Sequence, residues 1–72
     1  MKLSYYSETD SLYIDLSPKP SVDSREVTEG VVLDYDDEGN LTGIDIDKAS
    51  TKLDLKELII DKFPSEIHKI PA

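Results

Sequence analysis

The chain has 72 residues, of which 8 are basic and 16 are acidic, so its formal net charge is −8, and it contains no cysteine. This length predicts a single domain, residues 1–72, with a small core and no disulfide to stabilise it. The excess of carboxylates would repel a phosphate backbone, so we do not expect nucleic acid as a partner.

Membrane and secretion signals are missing from the sequence. No apolar run approaches the ~20 residues that span a bilayer, and the first ten residues, MKLSYYSETD, lack the apolar stretch of a signal peptide. The lack of cysteine agrees with a reducing compartment. We therefore expect a cytoplasmic protein with no membrane partner.

The first predicted element is a β-hairpin over residues 1–17. The stretch SLYIDLS places Leu12 and Ile14 on one side and Tyr13 and Asp15 on the other, which is the two-residue period of a half-buried strand. A four-residue loop, SETD, then pairs apolar residues with each other: Leu3 with Ile14 and Tyr5 with Leu12.

A connector and a second hairpin are predicted next. Two prolines interrupt the alternation in residues 18–26, which we assign to the connector. The second hairpin covers residues 27–48, with DEGN as its four-residue loop. The buried side decides its register, since a slip of one residue would mix apolar with charged side chains there. The predicted pairs are Val31 with Ile46, Leu33 with Ile44 and, next to the loop, Tyr35 with Thr42.

A helix over residues 54–62 is predicted in the last segment, residues 49–72. Its signals are apolar residues at helical spacing, an acidic capping pair and a terminating proline: Leu55, Leu58 and Ile59; Asp54 and Glu57; Pro64. A competing interpretation makes ELIID, residues 57–61, a fifth strand. The pattern does not decide whether residues 64–72 are ordered.

Together these elements predict an α+β fold. Two consecutive β-hairpins form a four-stranded antiparallel sheet, and the C-terminal helix packs on its apolar face. The side chains of that face are expected to share one dry surface: Leu3, Tyr5, Leu12, Ile14, Val31, Leu33, Ile44 and Ile46.

The stretch LDYDDEGNLTGIDI also fits a twelve-residue calcium loop in part. With Asp34 at the first position, Asp36 and Glu38 supply oxygen at positions three and five, Gly39 takes position six and Asp45 position twelve. The usual glutamate at position twelve is missing, and GVVL and GIDI have strand rather than helix character. We therefore predict an acidic hairpin without a metal site, and keep weak calcium binding as an alternative.

No catalytic group or cofactor site is predicted. His68 is the sole histidine of the sequence and lies in a proline-flanked tail without a positioned partner. The three glycines form no phosphate-binding loop, and no serine lies in a nucleophile motif. We therefore expect that the protein is not an enzyme.

The side of the sheet opposite the apolar layer is the candidate interaction face. Four side chains lie there in the predicted register: Tyr6, Tyr13, Val32 and Leu41. They are either scattered surface residues or the contact with a second copy or another protein, because small domains often gain stability by association.

Two runs carry a family resemblance: D-x-LYI-x-L in residues 10–16 and GVVLDYD-x-x-GN-L-x-GI-x-I in residues 30–46. Over residues 3–50 the chain resembles the small prokaryotic proteins grouped as domain of unknown function 2283. The resemblance implies a compact prokaryotic domain and supplies no activity, substrate or catalytic residue. Some relatives are small acidic chains suggestive of antitoxin-like partners.

The sequence therefore predicts a non-catalytic protein-interaction module that self-associates or binds another protein. The alternatives are an acidic, antitoxin-like partner of a small basic toxin and a weak calcium-binding module.

Overall fold

Residues 1–64, the part of the chain that the computed structural model describes, are organised around one antiparallel sheet. Within this range the strands are β1 Lys2–Tyr6, β2 Ser11–Asp15, β3 Asp23–Thr28, β4 Val31–Tyr35 and β5 Leu41–Ile46, followed by a short helix, α1 Ala49–Lys52. The strands lie in the order β1-β2-β5-β4-β3, so β5 occupies the centre and β1 and β3 form the edges.

The first hairpin has the predicted register. Leu3 pairs with Ile14 and Tyr5 with Leu12, so the apolar side chains of both strands share one face. Lys2 pairs with Asp15 on the other face.

The second hairpin joins the first through the central strand. Ile44 of β5 lies opposite Ile14 on one side and Leu33 on the other, which confirms the predicted pairing of Leu33. Ile46 likewise lies between Leu12 and Val31. The two apolar faces of the hairpins therefore form one continuous surface across four strands.

The predicted register is wrong next to the loop of the second hairpin. The Asp36 N–H donates to the Asn40 carbonyl at 2.9 Å, which closes a three-residue loop with Gly39 at a φ of 82°. Tyr35 therefore pairs with Leu41, and the residue left over, Thr42, forms a β-bulge in β5.

The sheet has five strands in the described range rather than four, because β3 lies mostly inside the predicted connector. Its six residues are all exposed, and it pairs with β4, with Arg25 opposite Leu33. An edge strand rich in charge discourages pairing with another chain and does not need an apolar alternation. The sequence pattern of β3 therefore gave no strand signal.

The predicted helix over residues 54–62 is wrong. The helix of the described residues is α1, and residues 53–64 form neither helix nor strand, so the strand alternative for residues 57–61 is wrong too. The Asp54 carboxylate accepts the Lys56 N–H at 3.0 Å, which closes a turn instead of capping a helix. A short helix is marginal in water without a packed apolar face. No helix within residues 1–64 is long and apolar enough to cross a membrane.

Asp10 ties the loop of the first hairpin to α1. Its carboxylate accepts the Ser50 hydroxyl at 2.6 Å, the Ser50 N–H at 3.1 Å and the Tyr5 hydroxyl at 2.8 Å. These hydrogen bonds, that of the Ser50 hydroxyl most of all, lower the pKa of Asp10. The Asp10 carbonyl also accepts the Ala49 N–H at 2.8 Å. This holds α1 at one end of the apolar face, where Ala49 is fully buried.

Candidate interaction faces

Within residues 1–64 the apolar face of the sheet is largely uncovered. The eight predicted side chains share one side of the sheet, but of these eight Leu12 and Ile46 alone are buried, packed with Ala49 of α1. On the edge strand β1, Leu3 is 38% and Tyr5 48% exposed. The expectation of a dry surface is therefore wrong, because among the described residues α1 covers one end of the face and leaves the rest uncovered.

The segment after α1 is a second exposed apolar surface. Six of its large apolar side chains are exposed: Leu53, Leu55, Leu58, Ile59, Ile60 and Phe63. Ile59 is the most open of them, at 74%. Each Å² of apolar surface removed from water contributes about 25 cal/mol, so both surfaces carry a driving force for association.

The opposite side of the sheet collects negative charge. The register places Asp15, Asp34 and Asp45 there on the three neighbouring strands β2, β4 and β5. Glu26 of β3 continues this surface through its pairing with Val32. These four carboxylates define the acidic face, and the sheet separates it from the apolar face.

Tyr13 lies across the acidic face on top of Gly43. A Cβ atom on Gly43 would meet the Tyr13 Cζ at 2.6 Å, so the ring rests directly on the glycine. The Tyr13 hydroxyl donates to Asp34 Oδ2 at 2.8 Å, and the Ser24 hydroxyl donates to Asp34 Oδ1 at 2.7 Å. The hydrogen bond to Asp34, followed by burial and neighbouring carboxylates, raises the pKa of Tyr13 to about 12. Two side-chain hydrogen bonds to Asp34 thus link β2 and β3 to β4.

The sequence did not predict the contact between Tyr13 and Gly43. The sequence feature that pointed to this contact was a glycine within a strand, since such a glycine marks a bulge or the close approach of another group. The ring that covers Gly43 depends on β2 lying beside β5, and the sequence pattern does not show that pairing.

The four predicted interaction residues lie in three different settings. Tyr13 and Val32 are half-buried on the acidic face and flank Asp45 in one cross-strand row. Tyr6 is exposed at the end of β1. Leu41 pairs with Tyr35 because of the bulge and leaves the acidic face. Their role in an interaction stays a prediction.

Asp45 occupies the middle of the acidic face. Within residues 1–64 its carboxylate accepts no hydrogen bond, and burial, then repulsion by Asp47 and Asp34, raise its pKa above the ordinary value. A carboxylate whose pKa is raised in the folded state lowers the free energy of unfolding once it ionises. The ionised Asp45 carboxylate therefore destabilises the fold.

Asp45→Asn is expected to raise the melting temperature near neutral pH. Because the folded state disfavours the ionised carboxylate, Asp45 reduces stability as pH rises above the ordinary aspartate range of about 3.9. Below that range both side chains are neutral, and the difference between wild type and variant should vanish. Thermal unfolding followed by circular dichroism at neutral and acidic pH measures this. Asp37→Asn in the exposed loop removes the same charge, and an equal gain from it would contradict the role of Asp45.

The suspected calcium loop is the turn of a hairpin, with β4 and β5 on its two sides instead of helices. Asp36 Oδ1 accepts the N–H groups of Glu38 and Asn40, each at 2.9 Å, so this carboxylate stabilises the turn. Among residues 1–64 no group of three or more His, Cys, Asp or Glu side chains is placed to hold a metal ion. The hairpin prediction is confirmed, and calcium binding stays a matter for titration. His68 lies outside the described residues.

The fold and its two faces place this chain among small acidic proteins built on a single antiparallel sheet. The chain belongs to the family described as "Protein of unknown function (DUF2283)", which it matches over residues 2–50. The match confirms the resemblance seen in the sequence and covers all five strands. No curated protein and no solved structure matches the chain.

Proposed function

We propose that this protein is a non-catalytic protein-interaction module that binds through its apolar face. The observation that carries the proposal is the exposure of that face, where Leu3 and Tyr5 are open and Ile14 and Leu33 are half-buried. A sheet is stable in water when a second layer packs on its apolar face. In the described part of the chain α1 covers one end of it, and a partner protein supplies the rest.

Affinity capture with a matched pair of variants tests the proposal. Leu33 and Val32 are neighbours in β4, both half-buried, and they point to the apolar and the acidic face respectively. Tagged Leu33→Glu is expected to lose the proteins that the wild type captures from its native cells, another copy of the chain included. Val32→Glu should keep them, and circular dichroism checks that both variants are folded. Identical captured proteins for the two variants would contradict the proposal.

The acidic face favours a second candidate function, the neutralisation of a small basic protein in the manner of an antitoxin. Asp15, Asp34 and Asp45 on one surface, in a chain of net charge −8, steer a cationic partner towards that surface. We expect a neighbouring gene to encode a basic, RNase-like chain whose complex with this protein weakens with salt and with Asp45→Asn. Lack of such a gene, or binding indifferent to salt, counts against this function.

A further inference from the structure

We propose that the partner on the apolar face is a second copy of this chain, whose own apolar face packs on the first to form a two-layer β-sandwich. This inference rests on the proposed function and names its partner. Three features of the molecule favour a second copy: the distribution of charge, the exposed area and the position of the segment after α1.

The charge distribution favours a second copy over a basic protein. On the apolar side of the sheet the charged strand residues are Asp23 and Arg25, both on the edge strand β3. A basic partner therefore finds few carboxylates there. Two copies of net charge −8 avoid strong repulsion, because a sandwich about 10 Å thick turns both acidic faces outwards.

The exposed area is large enough for a stable dimer. The chain exposes 5947 Å², whereas a folded monomer of 8.1 kDa exposes about 4,500 Å². The excess is about 1,400 Å², polar and apolar surface together, and each partner buries ~800 Å² in a standard interface. Part of this excess belongs to residues 53–64, all of which are exposed.

The segment after α1 completes the interface. Five strands of about five residues span about 24 Å by 17 Å, or ~400 Å² in projection, which is half of a standard interface. Ala49 anchors α1 beside Leu12 and Ile46 at one end of the apolar face, and residues 53–63 follow α1 directly along the chain. Their six exposed apolar side chains add the remaining area by packing against the second copy.

A matched pair of variants on the edge strand β1 tests the sandwich. Leu3 and Ser4 are neighbours that point to the apolar and the acidic face. Leu3 is already 38% exposed, so a charge at this position leaves the single sheet intact. Leu3→Glu and Ser4→Glu add the same charge, and sedimentation and light scattering over a wide concentration range measure the association of each full-length protein.

We expect the wild type to have twice the mass of the 8.1 kDa chain. Leu3→Glu should raise the dissociation constant about tenfold or more, since it places an unpaired charge in the interface, while Ser4→Glu should leave it nearly unchanged. Equal effects of both variants, or a wild type that is monomeric at every concentration, would overturn the inference.

A measurement on the wild type keeps the test independent of any variant. In a mixture of isotope-labelled and unlabelled chains, the methyl groups of Ile14, Leu33 and Ile44 should show contacts between copies. A dimer without such contacts would exclude the face-to-face arrangement.

The same spectra separate failure of the inference from failure of the proposed function. A monomer whose Ile14 and Ile44 methyl groups are open to a soluble paramagnetic probe excludes the second copy but retains an available interaction face. A monomer in which these methyl groups contact residues 53–64 of the same chain overturns both proposals.

Discussion

Gly43→Ala is expected to lower the free energy of unfolding by about 2–3 kcal/mol, through overpacking and a lost hydrogen bond. The new methyl group has no room beneath the Tyr13 ring, whose Cζ lies 2.6 Å from the position of a Cβ atom. The ring must move, and its hydrogen bond of 2.8 Å to Asp34 breaks. Alanine is otherwise no worse than glycine inside a strand, so the loss reports the contact with the ring.

A double-mutant cycle with Tyr13→Ala isolates this contact. Once the ring is absent, Gly43→Ala should be neutral or slightly stabilising, because the added methyl group meets open space. Urea unfolding of the four proteins gives the coupling free energy. The same loss from Gly43→Ala in both backgrounds would show that the ring does not rest on the glycine.

Asp36→Ala is expected to cost about 2 kcal/mol, the second-largest effect. The carboxylate is buried to 5% exposure and accepts two main-chain N–H groups of the turn, from Glu38 and Asn40. Hydrogen bonds to a charged acceptor contribute about 1.5–3 kcal/mol, and water replaces part of what the exposed turn loses. Since the turn decides where the bulge falls, the variant should also disturb the pairing of Tyr35 with Leu41.

Asp37→Ala is the matched control for Asp36→Ala. Asp37 is the next residue, it is exposed, and its removal changes the net charge by the same amount. It should change stability by no more than about 0.5 kcal/mol. Urea unfolding with and without calcium completes the comparison. A wild type that calcium stabilises, with the gain absent from Asp36→Ala, would support ion binding in place of a purely structural turn.

The local geometry of both hairpins was predictable, because an alternating strand has one face to bury and a short loop joins it to its partner. Leu33 therefore faces Ile44, as expected. The bulge at Thr42 escaped prediction, because loops of three and four residues both fit DEGN and differ by one residue of register. The helix over residues 54–62 failed for a different reason: helical spacing in an apolar segment describes a potential face, and a helix needs a surface on which that face packs.

The candidate interaction faces were likewise predictable in part from the sequence. The sequence predicted that Tyr13 and Val32 point to the acidic side, because side-chain direction follows from alternation alone. It also placed Leu41 there, which was wrong because the bulge pairs Leu41 with Tyr35. It did not predict that Tyr13 covers Gly43, since that contact requires β2 to lie beside β5.

The sequence by itself determined the two hairpins, their main register, the separation of apolar from acidic side chains and the family resemblance. All of these are local properties, set by a two-residue period and by loops of a few residues. Only the tertiary structure decided that β5 is central, that a polar segment becomes the edge strand β3, and that residues 1–64 leave most of the apolar face open. The reason is that alternation specifies the direction of a side chain, whereas its neighbours and its cover depend on free energies of contacts between distant parts of the chain.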